Sequence, residues 1–531
     1  MSSAAPEPAA TTSRARYLAL IAMLFAVAMT FIDQTIVSIA SPRIQEELSL
    51  TRDGLQWVIN GYILALAAGF AFGGRLADVV GSKRMVLIGI VGFAGSSALC
   101  GATPKGSVAE TWIVAFRVLQ GFSAALMIPA ALAVVVSSFP IGERGKALAI
   151  FFGVSGGLTA IGPIAGGYLT QWTWRAIFWI NVPIAVIAVV IALMAHITTS
   201  SKKEPIHFSS AVLAALGMGL SVFGFEQAGS WGWSDARTWA CIVGGLVVIV
   251  VFVRVQLRTQ YPLINVRIFA DRAFLVDNVV LFFSMIAFVP VFFFASVYAA
   301  VSLGYDANNA GLYLLVFFGG FAPAAQVGGR ILDSRGARPA LIVGSTIGAI
   351  GFALWAVKLT DLQLGAQWYA VVLAGAGIGL ILGPSSTDAV NRAIGASYGE
   401  VTGISQTVRN YGSALGLAVL GTVLGNVFTQ RLTTTFTAAG LSPAEAAAAA
   451  AQTASSSTSG APPSSGGMPA AMAQQIGAAI PQDFAVATRA VLIGMAIALV
   501  VCLVASLAHP GGVVTAEKPE QQPLTATPDA V

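Results

Sequence analysis

The sequence predicts an all-α membrane protein with fourteen transmembrane helices, arranged as two six-helix bundles with two inserted helices between them. Three observations predict this fold: the composition, the spacing of long apolar runs, and a loop motif that occurs twice. Hydrophobic residues make up 56% of the 531 positions and charged residues only 10%, whereas a soluble domain carries roughly 25% charged residues. A chain with so little charge is suited to lipid rather than water as its solvent.

Apolar runs long enough to cross a bilayer, about 20 residues each, recur along the whole chain. They cover residues 17–40, 54–73, 85–103, 111–136, 147–169, 176–196, 208–227, 238–256, 274–301, 309–328, 339–357, 367–390, 402–428 and 486–508. If the N-terminus is cytoplasmic, basic residues in the inside loops outnumber those in the outside loops by more than two to one. This bias follows the positive-inside rule, so we expect a cell-membrane protein with both termini in the cytoplasm.

The order of the runs predicts the domain organisation. We expect a cytoplasmic N-terminal tail (1–16), a first bundle (17–200), two inserted helices (201–260), a second bundle (261–508) and a cytoplasmic C-terminal tail (509–531). Within the second bundle, residues 431–485 are rich in Ala, Ser, Gly and Pro and nearly uncharged. This composition predicts a mobile extracytoplasmic loop with some helix. The polar tail after His509 is expected to be disordered.

A loop motif occurs after the second and the tenth run. Gly74–Arg84 and Gly329–Arg338 both read Gly-Arg-x-x-Asp-x-x-Gly-x-basic, and both lie in loops assigned to the cytoplasm. If the two inserted helices are left out, each copy falls in the second loop of a six-helix half. Two parallel halves that face each other across a cavity are a known transporter plan.

Ionisable residues inside the runs are the candidates for chemistry. Asp33 interrupts the first run and Arg117 the fourth, and a charge inside a span costs about 2.5–3.5 kcal/mol unless it is paired or neutralised. Gln120 lies on the same helix face as Arg117 by i,i+3 spacing. Two interpretations remain open: Asp33 exchanges a proton beside Arg117, or the two form a permanent structural ion pair.

Two further acids, Asp277 and Asp388, lie near the cytoplasmic ends of the ninth and twelfth runs. Asp388 and Arg392 have the i,i+4 spacing of a local ion pair, and Arg409 is a further candidate partner. Both acids are therefore candidates for proton coupling or substrate binding, with a purely structural role as the alternative.

Several classes of function are excluded by the sequence. The three cysteines and three histidines show no metal-ligand or disulfide spacing, so we expect no metal and no cofactor. The net charge of +5 is spread over a long chain and predicts no nucleic-acid partner. Residues 101–107 resemble a phosphate-binding loop but lack its lysine. We expect no enzyme activity, and transport driven by an ion gradient.

Five segments carry a resemblance to a known family. They are Gly74–Arg84, Asp33-x-Thr35 with Ala40-x-Pro42, Arg117-x-x-Gln120-Gly121, Gly162-Pro163-x-x-Gly166-Gly167, and Trp174-Arg175-x-x-Phe178-x-x-Asn181-Val182-Pro183. The first resembles the cytoplasmic-loop signature of the major facilitator superfamily. Together with residues 403–416, the set resembles the fourteen-span, QacA/EmrB-like drug:proton antiporters over residues 17–508.

The resemblance implies a function. It implies a proton-driven antiporter that exports small lipophilic drugs or toxic compounds, cationic ones included, by alternating access. The alternative is a dedicated exporter of one metabolite, antibiotic or lipid with the same coupling. The implied partners are the lipid bilayer, a small-molecule substrate and protons, and the protein is expected to be monomeric.

The resemblance also implies roles for individual residues. Proton coupling or substrate binding falls to Asp33, Arg117, Gln120, Asp277 and Asp388. Gating and conformational change fall to Gly74, Asp78, Gly81, Lys83, Arg84, Asp333, Gly162, Pro163, Gly166 and Gly167. In particular, Asp78 is expected to latch onto the start of the thirteenth helix near Val401–Ser405, and Asp333 onto the start of the fifth. Aromatic residues of the ninth and tenth runs are candidates to line a lipophilic cavity.

Overall fold

The computed structural model describes residues 13–50, 52–195, 197, 208–259, 262, 266–305, 307–392, 398–458 and 470–513. These residues are almost entirely helical. The helices are α1 (Ser13–Leu48), α2 (Arg52–Val80), α3 (Ser82–Gly101), α4 (Ala109–Ser138), α5 (Ile141–Trp172), α6 (Ala176–Trp179), α7 (Asn181–Met194), α8 (Phe208–Trp231), α9 (Ala236–Arg258), α10 (Arg272–Val301), α11 (Ala307–Arg335), α12 (Ala337–Lys358), α13 (Leu364–Arg392), α14 (Tyr398–Ala438), α15 (Pro443–Thr458) and α16 (Ala470–Leu507).

The predicted all-α membrane fold is confirmed. Within the described residues, 11 helices are long and apolar enough to cross a membrane, and a bent pair within α2, Trp57–Phe70 with Phe72–Val80, raises the number to 12. The predicted runs 147–169 and 208–227 coincide with α5 and α8. The exact number of fourteen spans stays a prediction.

The two halves of the chain repeat the same helix contacts. In the first half α4 packs against α1, α2 and α3, while α1 also packs against α5 and α7. In the second half α13 packs against α10, α11 and α12, while α10 also packs against α14 and α16. The halves meet through α2 against α14 and through α5 against α11. The internal repeat predicted from the loop motif is therefore present in the packing.

Glycines bring the second and fourth helices of each half into backbone contact. A Cβ atom at Gly121 of α4 would overlap the carbonyl oxygen of Tyr62 in α2. In the second half a Cβ at Gly375 of α13 would overlap the carbonyl oxygen of Phe317 in α11. Lipid offers helices no hydrophobic drive to associate, so such close approach by small residues is a main source of packing energy.

The inserted helices α8 and α9 pack against each other at the boundary between the halves. α8 contacts both α2 and α14, and its Val222 is buried between Ala67 and Ala414. On the α2 side, Trp57 stacks on Phe223 with ring centroids 5.5 Å apart. One inserted helix thus touches both halves.

Residues 431–485 contain more regular structure than the sequence suggested. Their described part lies in the end of α14, in α15 and in the start of α16. α15 begins with a capping box, in which the Ser442 N–H donates to Glu445 Oε2 at 3.1 Å and the Glu445 N–H donates to Ser442 Oγ at 3.4 Å. Alanine-rich sequence has high helix propensity, which explains the added helix. The domain boundaries themselves stay predictions.

Substitution of Gly121 by Ala tests the α2–α4 contact. The added methyl group would force these backbones apart, and overpacking of this kind costs about 1–3 kcal/mol. We expect a lower melting temperature for the purified protein in detergent. Gly95→Ala in α3 is the matched control, because its Cβ would meet nothing within 4 Å. Equal melting temperatures for the two variants would contradict close packing at Gly121.

Candidate functional site

Asp33, Arg117 and Gln120 form a closed polar triad between α1 and α4. Arg117 Nη1 donates to Asp33 Oδ2 at 2.5 Å and to Gln120 Oε1 at 2.9 Å, and Gln120 Nε2 donates to Asp33 Oδ1 at 2.9 Å. The exposed fractions of Asp33, Arg117 and Gln120 are 0%, 1% and 0%. Each oxygen of the carboxylate accepts a hydrogen bond, so the charge is compensated without water. The predicted proximity of Asp33 and Arg117 is therefore correct.

Helix α2 completes the surroundings of Arg117. Arg117 Nε donates to the carbonyl oxygen of Val58 at 2.8 Å. The guanidinium carbon lies 4.4 Å from the centroid of the Tyr62 ring, a cation–π distance. Sequence reasoning missed both residues. Tyr62 could have been suspected as an aromatic residue on a helix that neighbours a buried cation, but the Val58 carbonyl carries no sequence signal.

The Gly-Pro motif of α5 lies directly beside this triad. A Cβ atom at Gly162 would overlap Thr35 Oγ1 and approach the carbonyl oxygen of Ile32, which are on either side of Asp33. Gly166, one turn further along α5, is buried, and Gly167 is half-buried. The side chain of Pro163 lies outside the described part of the structure. α5 is thus positioned to respond when α1 moves.

The triad lies far from the loops that carry the repeated motif. At a rise of about 1.5 Å per residue, Asp33 lies about 30 Å along α1 from its first residue. Arg117 lies about 12 Å along α4 from the first residue of that helix. Because these helices begin on opposite sides in the predicted topology, both distances place the pair towards the extracytoplasmic side.

Asp277 and Asp388 meet in a second buried cluster, between α10 and α13. Arg392 Nε donates to Asp388 Oδ2 at 2.6 Å, so the predicted i,i+4 pair is confirmed. His509 Nε2 lies 3.2 Å from Asp388 Oδ2 and 3.6 Å from Asp277 Oδ1. Asp277 and His509 are 0% and 1% exposed. The structure therefore brings together two predicted acids and a histidine that sequence reasoning had placed elsewhere.

The expectation for the start of the C-terminal tail was wrong. His509 was placed in a polar flank and the tail after it was expected to be disordered, but residues 511 and 512 bind Arg392 of α13 and Gly336, so this segment folds back onto the bundle. Two buried carboxylates provide the physical reason, because the imidazole places a polar atom within 3.2 and 3.6 Å of them in a place that water does not reach. Burial lowers the pKa of His509, but interaction with Asp277 and Asp388 raises it more, to about 9. The residues from 514 onwards lie outside the described part.

The repeated loops share one backbone feature. Gly81 and Gly336, which occupy the same position in the two copies, have φ values of 99° and 81°. L residues rarely adopt this region, so glycine is required where each loop turns into the next helix.

The remaining residues of the loop motif occupy different environments. Lys83 Nζ donates to the carbonyl oxygen of Ala195 at 3.2 Å, Arg84 is exposed, Gly74 and Asp78 are buried, and Asp333 is half-buried. α2 packs against α14 and α11 against α5, which are the helix pairs that the latch hypothesis requires. The latch contacts of Asp78 and Asp333 stay predictions.

The Trp174-Arg175 motif links the C-terminal ends of α1 and α3 in the first half. Trp174 Nε1 donates to Glu47 Oε2 at 2.9 Å, and Arg175 Nη1 donates to the carbonyl oxygens of Gly101 and Thr103 at 2.8 Å each. Burial alone would raise the pKa of Glu47, but the Trp174 hydrogen bond and the nearby cations Lys105 and Arg175 bring it below its usual value. These hydrogen bonds therefore join the segment between α5 and α6 to the ends of α1 and α3.

The aromatic residues of α10 and α11 pack on one another. Phe288 stacks on Phe321 and Phe292 on Phe318, each pair with centroids 5.2 Å apart. All four belong to the buried core of the second half, whereas Phe293 is 44% exposed. The structure shows a stacked cluster, and its role as a cavity lining stays a prediction.

The comparison with known families agrees with this geometry. The sequence model of the Major Facilitator Superfamily matches residues 23–417, from α1 to α14. The chain belongs to the major facilitator superfamily. It is a multi-pass membrane transporter and not an enzyme.

Several similar members of the superfamily are export or resistance proteins of actinomycetes. The tetracenomycin C resistance and export protein of Streptomyces glaucescens is 34% identical over 420 residues, which cover 77% of each chain. The puromycin resistance protein of Streptomyces alboniger is 32% identical over 77% of this chain and 82% of its own. The cephamycin export protein of Amycolatopsis lactamdurans is 33% identical over 74% of this chain and 82% of its own.

Solved structures of the superfamily share the fold. The proton:xylose symporter XylE has a TM-score of 0.53 at 14% identity, over 76% of this chain and 88% of its own. A bacterial homologue of the lysosomal transporter Spinster, in an inward-facing and unoccupied conformation, has a TM-score of 0.53 at 15% identity, over 94% and 98%. At these identities the likeness concerns the major facilitator fold alone.

A double-mutant cycle tests the energetic coupling of Asp33 and Arg117. Arg117→Gln leaves a buried carboxylate without its cation, and breaking a buried pair on one side costs about 3–5 kcal/mol. We expect a large fall in thermal stability for Arg117→Gln and partial recovery in the Asp33→Asn, Arg117→Gln double variant. Asp361→Asn, which breaks the exposed pair with Lys358, is the control and should change little. Additive effects in the double variant would contradict the coupling.

Proposed function

We propose that this protein is a proton-coupled antiporter that exports small lipophilic compounds by alternating access. It acts in the cell membrane as a monomer with both termini in the cytoplasm. The observation that carries the proposal is the buried triad of Asp33, Arg117 and Gln120, because it is an ionisable group in a transmembrane helix whose charge is matched by a single cation.

The triad supports proton coupling through its charge balance. With Asp33 ionised, the pair with Arg117 is neutral as a whole and remains stable without water. A proton on Asp33 removes one charge and leaves Arg117 with only neutral acceptors, Gln120 Oε1 and the Val58 carbonyl oxygen. A buried, unpaired cation is costly, so protonation favours a conformation in which Arg117 meets water or another partner.

Helix packing links this local change to a change between the halves. α5 lies against α1 at Gly162 and also packs against α11 of the second half. A shift of α1 relative to α4 therefore reaches the interface of the bundles through α5. In the opposite sense, a substrate that favours one arrangement of the bundles changes the affinity of Asp33 for a proton.

The membrane gradient supplies the energy for export. One proton that enters down a potential of 100 mV releases about 2.3 kcal/mol, before any pH difference is added. Asp277 and Asp388 are further candidates for this coupling, since both are buried in the second half. If more than one proton were coupled to each transport cycle, a second acid such as Asp277 or Asp388 would be required.

The choice between a broad and a dedicated exporter depends on the relatives. Three relatives are named for one antibiotic each, tetracenomycin C, puromycin and cephamycin, and another is named as a multidrug resistance protein. We propose lipophilic drugs as the substrate class, and a single dedicated antibiotic or metabolite as the second candidate. Transport of a panel of unrelated compounds in proteoliposomes distinguishes them.

Replacement of Asp33 by Asn tests the proton coupling. The amide keeps the size of the side chain but cannot exchange a proton, so we expect loss of efflux driven by an imposed pH gradient in proteoliposomes. Asp361→Asn, at a half-exposed acid outside the bundle core, should retain efflux. Full gradient-driven efflux by folded Asp33→Asn protein would refute the role of Asp33.

Replacement of Asp78 by Asn tests the latch on the predicted cytoplasmic side. An anion near the start of a helix is worth about 0.3–1 kcal/mol, and up to about 2 kcal/mol when partly buried. Its loss should shift the population towards the inward-open conformation. Distances between spin labels on α2 and α14 measure this shift, and an unchanged distance distribution would count against the latch.

A further inference from the structure

The cluster at the base of the second half contains a charge that its neighbours do not balance. Asp277 is fully buried, yet neither of its carboxylate oxygens accepts a hydrogen bond of acceptable geometry. Asp388 is compensated by Arg392 at 2.6 Å. With both acids ionised, Arg392 charged and His509 neutral, the group carries one net negative charge. A single added proton makes it neutral.

A proton suits this cluster better than a metal ion. The N–H of Gly511 donates to His509 Nδ1 at 3.0 Å, so Nδ1 is the unprotonated nitrogen and the ring hydrogen resides on Nε2. Nε2, which faces both carboxylates, is then a donor and has no lone pair for a metal. A divalent ion would also bring its charge close to Arg392. Nε2 lies 3.6 Å from Asp277 Oδ1 and 3.2 Å from Asp388 Oδ2, close enough for a hydrogen bond to form after a small movement.

The same cluster holds residues 508–513 against the end of α13 and the start of α12. We call this segment the C-terminal strap. Arg392 Nη2 donates to the carbonyl oxygens of Gly511 and Gly512 at 2.7 and 2.9 Å. Gly512 forms a backbone bridge to Gly336, the turning residue of the second loop motif. Arg338 of α12 donates to the Leu507 carbonyl oxygen at 3.3 Å. The strap thereby connects α10, α12, α13 and α16.

We propose that Asp277, Asp388 and His509 form a second proton-binding site, whose bound proton fastens the C-terminal strap across the ends of α10, α12 and α13. The added proton resides on Asp277, beside His509 Nε2. When it leaves, one uncompensated negative charge remains in a buried place, which is costly. Water must then enter and the strap must separate from the bundle. The site is independent of the triad at Asp33 and does not rest on its role.

The dependence on pH follows from the charged groups that face the site, Asp277 of α10, Asp388 and Arg392 of α13, and Arg338 of α12. The nearby carboxylates favour an added proton, which the raised pKa of His509 reflects. Because Nδ1 of His509 accepts from the Gly511 N–H, this proton is taken up by Asp277 rather than by the ring. The fastened state therefore binds one proton more than the released state, so the fastening is present at low pH and is lost as the pH rises.

A spin label on the strap tests the proposal in purified, full-length protein. Val513 is 44% exposed, so the label is attached at Val513→Cys in a chain that carries Cys241→Ser; the other two cysteines are buried. We expect an immobile label at about pH 6 and at least about a tenfold rise in the mobile fraction at about pH 10. A label with equal mobility at both values would overturn the proposal.

Two variants separate the proton from simple packing. In Asp277→Asn the amide imitates the protonated acid, so the label should stay immobile at high pH as well. His509→Ala removes the anchor and should give a mobile label at both pH values. Asp361→Asn should behave like the unsubstituted chain. A mobile label in Asp277→Asn at low pH, with the helical content unchanged, would contradict the proton-binding role.

Metal binding and proton-driven efflux are measured separately. Calorimetric titration with Zn²⁺ or Mn²⁺ should show no binding that depends on Asp277, and stoichiometric binding that Asp277→Asn abolishes would replace the proton by a metal ion. Asp33→Asn should leave the response of the strap to pH unchanged. If the antiport proposal is wrong, only the efflux measurements will contradict it. If the proposal for the strap is wrong, only the pH dependence of the label's mobility will contradict it.

Discussion

The ion pair between Asp33 and Arg117 constrains the first half more than any other contact. In a low-dielectric interior neither charge can be left alone without a cost of several kcal/mol, so α1 and α4 must meet at this level. The Val58 carbonyl oxygen and the Tyr62 ring bring α2 to the same point. At Gly121 the missing side chain lets α4 reach the α2 backbone. Charge compensation and small-residue packing thus favour the same relative position of α1, α2 and α4.

The second half repeats the helix arrangement but uses other chemistry where the first half has the triad. Near the C-terminal end of α10, Tyr298, Tyr313 and Gln367 form a chain of hydrogen bonds, in which Gln367 Nε2 donates to Tyr298 at 2.9 Å and Tyr313 donates to Gln367 at 2.8 Å. These groups are neutral and mutually satisfied, so their network is suited to rigidity. The same fold therefore supports an ionisable centre in the first half and, near the C-terminal end of α10 in the second half, a neutral network.

Much of this architecture could be predicted from the sequence because lipid imposes simple rules. Long apolar runs must be helices, and Asp33 and Arg117 on neighbouring helices must find each other. The i,i+4 pair of Asp388 and Arg392 is local and needs no tertiary information.

Other features depend on contacts that no local pattern encodes. The position of α8 against α2 and α14 could not be read from its apolar run, because such a run is equally compatible with any lipid-facing position. His509 was missed for a related reason. A lone histidine after a span is usually solvated, and only the return of the strap to two distant acids, Asp277 and Asp388, gives it a partner.

The two buried clusters use equivalent helices at opposite depths. Asp33 and Arg117 lie on the first and fourth helices of their half, and Asp277 and Asp388 lie on the first and fourth helices of theirs. Asp33 is about 30 Å along its helix, whereas Asp277 is only about 8 Å along α10. One acid thus lies towards the end of the bundle opposite the repeated loops and the other towards the end that carries them. The alternating access proposed above would expose one of these ends in each open state, so each open state would bring water to a different buried carboxyl group.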